Sequence, residues 1–119
     1  MRILCVDDER SVHQMLQLCL RQHTVDWAPD AATALTKLAE PFDLVITDGT
    51  MPGMSGPSLA VKIRGRVPVL GLTASHIAAR QFETIGVPCL TKPFAMAELE
   101  QAIEDVTRER KTTGAWGWG

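Results

Sequence analysis

Four short apolar runs, none of which alternates with polar residues, most constrain what this chain can fold into. They are rich in Val, Ile and Leu and lie at residues 3–6, 44–46, 67–72 and 87–90. A strand covered on both faces carries apolar side chains at nearly every position, so these runs are typical of a parallel sheet. A weaker run at 24–28 contains Asp26 and precedes Pro29, which predicts an edge strand. Pro68 is expected to open the fourth strand, and Pro88, inside the last run, places that strand at an edge as well.

Between these runs the apolar residues recur at the spacing of helices, and each set covers one face. The sets are Val12, Met15, Leu16, Cys19 and Leu20; Ala31, Ala34, Leu35, Leu38 and Ala39; Leu59 and Ile63; Ile77, Ala78, Phe82 and Ile85; and Leu99, Ala102, Ile103 and Val106. Asp30 is placed to cap the second helix by accepting a hydrogen bond from a free backbone N–H. Strands that alternate with helices predict an α/β fold, a doubly wound parallel sheet with right-handed crossovers and helices on both faces.

The length and charge of the chain exclude several classes of protein. With 119 residues it is long enough for one domain and too short for two. A formal net charge of −2 provides no basic field for binding nucleic acid or an anionic membrane. The longest uncharged stretch contains proline, glycine and polar residues and is shorter than the roughly 20 apolar residues of a membrane helix. No N-terminal apolar segment has the length of a secretory signal, so we expect a cytoplasmic protein.

Two features lie outside the alternating pattern. The three cysteines, Cys5, Cys19 and Cys89, are odd in number and lack metal-ligand spacing, which favours buried free thiols. The last residues are rich in Gly and Trp, so we divide the chain into a domain at 1–108 and a C-terminal tail at 109–119. We expect the tail to be disordered, although a docking peptide or a cloning remnant would have the same composition.

Polar residues follow four of the predicted strands at the point where each strand ends. Asp7 and Asp8 follow the first strand, Asp48 the third, Thr73 the fourth and Lys92 the fifth. Ligands of an open parallel sheet bind at the carboxyl ends of its strands, so we expect these side chains to lie close together.

The residue types in this cluster favour a phosphoryl-transfer site. Three neighbouring carboxylates repel one another unless a cation lies among them, and carboxylates suit Mg²⁺, whereas Zn²⁺ would need His or Cys ligands. Lys92 supplies a positive charge for a phosphoryl oxygen, and the Thr73 hydroxyl and the Ala74 N–H supply donors. Each residue alone has a simpler explanation: an acidic helix cap, a turn aspartate at Asp48, or a surface lysine.

The segments around these residues resemble those of a known family, the receiver domains of two-component response regulators. The matching segments are ILCVDDE at 3–9, DLVITD at 43–48, MPGMSG at 51–56, VLGLTA at 69–74 and TKPF at 91–94. The resemblance covers residues 1 to about 108. It implies a flavodoxin-like sheet of five strands in the order 2-1-3-4-5, with five helices.

The resemblance also implies a role for each site residue. Asp48 would be the phosphoacceptor, taking a phosphoryl group from a phosphohistidine on a histidine kinase or a histidine phosphotransfer protein. Asp8 would bind Mg²⁺ directly and Asp7 largely through water, with Asp48 and the backbone carbonyl of Thr50 completing the metal site. Lys92 would pair with the phosphoryl group, and its bond to Pro93 would be cis.

The remaining implied roles concern the response to phosphorylation. Thr73 would move toward the phosphoryl group, which Ala74 and Thr50 would also contact. The family usually has Tyr or Phe three residues before the lysine, where this chain has Cys89. We therefore predict a weaker or rerouted switch, although Cys89 could also fill the pocket and leave the switch working. Val12, Met15 and Phe94 are the residues expected to face a partner.

Three functions of different classes remain. The first is a phosphoaccepting module that assists its own phosphorylation and dephosphorylation, is not otherwise an enzyme, and controls an unknown downstream protein. The second is a pseudo-receiver that binds partners without phosphorylation, but this requires a broken site and all five polar residues are present. The third is an aspartyl phosphatase, which places its two acids two residues apart, whereas Asp7 and Asp8 are adjacent. The sequence favours the first.

Overall fold

The computed structural model describes the chain from residue 1 to residue 112, and its side chains to residue 108. The strands are β1 (Arg2–Val6), β2 (Thr24–Ala28), β3 (Leu44–Thr47), β4 (Val69–Thr73) and β5 (Cys89–Thr91). The helices are α1 (Arg10–Cys19), α2 (Ala31–Lys37), α3 (Gly56–Ile63), α4 (His76–Thr84) and α5 (Met96–Thr112). Because α5 continues to Thr112, the first four residues of the predicted tail are helical. The rest of that tail, 113–119, lies outside the described residues.

The strands form one parallel sheet in the order β2-β1-β3-β4-β5, as predicted. β2 and β5 lie at the two edges, as the polar residue in β2 and the proline near β5 indicate. Pro68 lies just before β4 rather than at its first position, and Pro88 lies just before β5, the edge strand that it predicted. A proline there needs no backbone donor, and its carbonyl still accepts a hydrogen bond: Val45 donates to Pro68 and Gly71 to Pro88.

The sheet separates two hydrophobic clusters, one under each layer of helices. One cluster contains buried residues of α2, α3 and α4, and the other contains those of α1 and α5. Asp30 caps α2 as predicted, since its carboxylate accepts a hydrogen bond from the Thr33 N–H at 2.7 Å. Cys5 is buried as expected, whereas Cys19 and Cys89 are half-buried at the margins of the clusters.

The prediction was also wrong about one position of α4. Ala78 and Phe82 are buried, but Ile77 is 74% exposed. Consecutive helical positions lie about 100° apart, so Ile77 turns away from the sheet when the Ala78 and Phe82 face packs against it.

Candidate functional site

The sheet brings the predicted carboxylates together at the carboxyl ends of β1 and β3. One oxygen from each of Asp7, Asp8 and Asp48 lies within 4.8 Å of the other two. Lys92, directly after β5, places its Nζ 3.9 Å from Asp7 Oδ2. The parallel sheet thus brings the lysine after β5 close to the acids that follow β1 and β3.

The three acids differ in exposure, which gives them different chemical character. Asp7 is buried, Asp48 is half-buried and Asp8 is exposed. Asp7 is fixed through its backbone and its side chain, because its N–H donates to the Ala28 carbonyl and its Oδ1 accepts from the Glu9 N–H at 2.8 Å. The innermost acid is therefore held by hydrogen bonds to both its backbone and its side chain.

The pKa of Asp7 is raised from 3.8 to about 6, chiefly by burial. The negative charges of Asp48 and Asp8 contribute to this rise, while the Glu9 N–H and the Lys92 ammonium oppose it. A cation among the three carboxylates would favour the ionised form of Asp7. The donor set consists of oxygens, which fits Mg²⁺ better than softer metals.

The segment after β3 holds Asp48 in a close-packed turn. Its N–H donates to the Val6 carbonyl at 2.9 Å, and its Oδ1 accepts from the Gly49 N–H at 2.7 Å. A Cβ at Gly56 would lie 1.9 Å from the Asp48 carbonyl oxygen, so only glycine fits there. Gly56 belongs to the matching segment at 51–56, and the close approach of the Asp48 carbonyl explains why this position requires glycine.

Thr73 ends β4 beside the acidic cluster, and it is buried. Its hydroxyl accepts a hydrogen bond from the Ser75 N–H at 3.1 Å and lies 3.2 Å from the position of a Cβ on Gly49. Thr73 thus borders the turn that contains Asp48. Ala74 and Thr50 are both exposed.

The backbone of Lys92 is hydrogen-bonded to the last residue of β4. Its N–H donates to the Thr73 carbonyl at 2.9 Å, which continues the β4–β5 ladder by one residue. The bond between Lys92 and Pro93 is cis, as the resemblance implied.

Cys89 lies in β5 opposite Gly71 and packs against the hydrophobic cluster that contains Phe82. Burial raises the pKa of the Cys89 thiol to about 11, so it stays protonated and behaves as a small apolar group. A Cβ at Gly71 would lie 2.7 Å from the Phe82 ring. The ring therefore lies against Gly71, in the layer that contains Cys89.

The three residues expected to face a partner differ in their exposure. Val12 lies in the core and is 9% exposed, which leaves its side chain almost no surface for a partner. Met15 and Phe94 are half-buried against the same cluster and keep some surface. Met15 and Phe94 therefore have more side-chain surface available to a partner than Val12 has, and the partner-facing role of all three stays a prediction.

Comparison with known proteins identifies the family. The sequence model of the response regulator receiver domain matches residues 3–104. The chain belongs to this family. Receiver domains take part in two-component signalling as phosphoacceptors rather than classical enzymes, receive phosphoryl groups from histidine kinases or phosphotransfer proteins, and bind Mg²⁺ at an acidic pocket.

Individual relatives support the assignment of this receiver domain. Response regulator RppA of Synechocystis is 36% identical and aligns with 91% of the chain, and chemotaxis protein CheY-3 of Vibrio cholerae is 34% identical over 89% of it. The chain spans 51% of RppA and 91% of CheY-3, so it covers only about half of some curated relatives. The Thermotoga maritima response regulator TrrA, solved in complex with Mg²⁺-BeF, has a TM-score of 0.79, 29% identity, and coverage of 88% of this chain and 97% of its own. Among the helices described, none is long and apolar enough to cross a membrane.

The raised pKa of Asp7 predicts an unusual pH dependence of stability in the metal-free receiver domain. Between the unfolded pKa of 3.8 and the folded pKa of about 6, the folded chain binds more protons than the unfolded chain. The free energy of unfolding therefore falls as pH rises through this window, and ionised Asp7 destabilises the fold above it. Mg²⁺ should restore stability at pH 7 and have less effect at pH 5.

The measurement is chemical unfolding at pH 5 and pH 7, with and without Mg²⁺. Asp7→Asn is the control, because it removes this contribution and leaves that of the other titrating groups. His23 acts in the opposite direction, since burial lowers its pKa. Equal pH dependence in the parent and Asp7→Asn chains would contradict the prediction.

Proposed function

We propose that this chain accepts a phosphoryl group on Asp48 in a Mg²⁺-dependent reaction with a phosphohistidine. The observation that carries the proposal is the geometry of the site. One oxygen each from Asp7, Asp8 and Asp48 lies within 4.8 Å of the others, and the Lys92 Nζ lies 3.9 Å from an Asp7 oxygen. Carboxylates beside a lysine can hold a cation and a phosphoryl group together.

In the proposed reaction the Asp48 carboxylate is the nucleophile. Its Oδ1 is held by the Gly49 N–H, which presents Oδ2 to the incoming phosphorus. A bond forms between this oxygen and phosphorus, the bond between phosphorus and the donor's imidazole nitrogen breaks, and the imidazole leaves with the bonding electron pair. Mg²⁺, held by Asp7, Asp8 and Asp48 with the Thr50 carbonyl, would neutralise charge on the phosphoryl oxygens.

The other site residues stabilise the phosphoryl group after transfer. The Lys92 ammonium pairs with one phosphoryl oxygen, and the Thr73 hydroxyl and the backbone N–H groups of Ala74 and Thr50 donate to the others. These groups come from the chain itself, so the chain assists its own phosphorylation and the later attack of water on the acyl phosphate. The phosphoryl donor is a histidine kinase or a histidine phosphotransfer protein in the cytoplasm, and Met15 and Phe94 would contact it.

The test is intact mass after incubation with acetyl phosphate. We expect a gain of one phosphoryl group in the presence of Mg²⁺ and no gain after the metal is chelated. No gain under either condition, together with no binding of Mg²⁺ in a titration, would replace the proposal with a binding module that acts without phosphorylation.

We further propose that phosphorylation moves Thr73 but changes the surface of α4, β5 and α5 only weakly, because Cys89 occupies the position of the usual aromatic side chain. Amide chemical shifts of the free and beryllofluoride-bound chains test this. We expect large changes near Asp48 and Thr73 and small ones across β5 and α5. Large changes throughout 75–108 would show that Cys89 leaves the switch intact.

A further inference from the structure

Trp27, which the motifs do not include, contacts the acidic loop from the edge strand. It is the fourth residue of β2 and is half-buried. Its indole Nε1–H donates a hydrogen bond of 2.8 Å to the backbone carbonyl of Asp7. The side chain of an edge strand therefore bonds directly to the residue that carries the innermost carboxylate.

Trp27 also contacts the start of the helix that follows this loop. The Arg10 guanidinium lies over its ring at 5.5 Å from the centroid, and the His13 ring stacks on it at 6.0 Å and 19°. His13 is itself joined to β2 by a hydrogen bond of 2.8 Å between its Nε2 and the Val25 carbonyl. The indole thus joins the loop that carries Asp7 and Asp8 to the first turn of α1 and to β2.

We propose that Trp27 is the positioning residue of the metal site, and that it sets the affinity for Mg²⁺ by holding the Asp7 backbone. The inference rests on the proposed Mg²⁺ site. The Asp7 N–H bonds to Ala28 and the Asp7 carbonyl bonds to the Trp27 side chain, so both polar backbone groups of Asp7 are held by β2. A site prepared in this way avoids the cost of ordering the loop when the cation binds.

The hydrogen bond has a second effect on the site. Donation to the Asp7 carbonyl polarises the peptide bond between Asp7 and Asp8. This polarisation strengthens other hydrogen bonds that the same peptide group makes. Without the indole N–H, the carbonyl would lose a partner in a partly buried position, and the loop could rotate its carboxylates away from one another. Mg²⁺ binding would then have to offset the cost of ordering the loop.

The decisive variant is Trp27→Phe, which keeps an aromatic side chain on β2 and removes the indole N–H donor. We expect the Kd for Mg²⁺, measured by calorimetry on the full chain, to rise about 3- to 10-fold, the range for one hydrogen bond. Asp26→Asn is the matched control, because it perturbs the same strand at its ion pair with Arg2 and touches no residue of the loop. It should change the Kd by less than about twofold.

The unaltered chain provides a second measurement that does not depend on the variant folding. Indole N–H signals of the three tryptophans can be assigned with Trp116→Phe and Trp118→Phe. We expect Mg²⁺ to shift the Trp27 indole signal with the Kd found by calorimetry. Such a shift would show that the indole N–H responds to occupation of the metal site.

The outcomes separate this inference from the proposed function. If the parent chain binds Mg²⁺ and Trp27→Phe binds it within twofold, or the Trp27 indole signal stays constant at saturation, the positioning role is wrong and the metal site stands. If the parent chain itself binds no Mg²⁺, both are wrong.

Discussion

An Asp48→Asn chain should gain no phosphoryl group when it is incubated with acetyl phosphate and Mg²⁺. The amide oxygen carries no full negative charge and is a poor nucleophile for phosphorus. The fold should persist, because the asparagine oxygen can still accept the hydrogen bond that Asp48 Oδ1 takes from the Gly49 N–H. The loss should therefore be complete and chemical, and not a result of unfolding.

The experiment compares intact masses of the parent chain, Asp48→Asn and a matched control. Asp105→Asn makes the same chemical change on α5, where Asp105 is exposed and bonded to Gln101 and Arg108. The control should gain one phosphoryl group as the parent chain does. A gain on the Asp48→Asn chain would place the acceptor on another residue and refute the assignment.

The residues of this site could be predicted because the rule that locates them depends on the strands alone. Once the apolar runs are recognised as parallel strands, the residues that follow Val6, Thr47 and Thr91 must lie together at the carboxyl ends of the strands. The strand order and the residue roles came instead from the resemblance, because alternation of strands and helices is compatible with several orders. The spacing of the apolar residues also predicted which faces of α1 and α5 are buried, because each helix carries one long apolar stripe.

The features that could not be predicted depend on side-chain contacts between distant residues. The bond from Trp27 to the Asp7 carbonyl joins positions 20 residues apart and leaves no pattern in the sequence. Helical spacing places Ile77 on the same face as Ala78, Phe82 and Ile85, yet in the nine-residue α4 it faces solvent. The close approach at Gly56 likewise becomes visible only when the Asp48 carbonyl is placed beside it.

Phe82→Ala should be the most destabilising single truncation on α4, with a loss of about 3–5 kcal/mol in the free energy of unfolding. Phe82 is fully buried, and its ring lies against the backbone of Gly71. One ring atom also lies 3.4 Å from the position of a Cβ on Gly49, the residue after Asp48. Its removal would open a cavity between α4, β4 and the Asp48 turn.

Urea unfolding measures this loss, and Ile77→Ala is the matched control on the same helix. Ile77 is 74% exposed, so its truncation should change the free energy of unfolding by less than about 0.5 kcal/mol. Comparable losses in the two variants would contradict the burial that distinguishes these neighbouring positions.

A double-mutant cycle with Gly71→Ala tests whether Phe82 and Gly71 are matched to each other. Alone, Gly71→Ala should destabilise the fold, because the added Cβ would lie 2.7–3.0 Å from three atoms of the Phe82 ring. On the Phe82→Ala background the same methyl group enters the cavity, so its cost should shrink or reverse. Additive losses would show that the cost of Gly71→Ala does not come from the Phe82 ring. A strong coupling would show that Gly71, by lacking a side chain, makes room for the Phe82 ring. That ring then packs in the layer that contains Cys89, the position where the family usually has an aromatic residue.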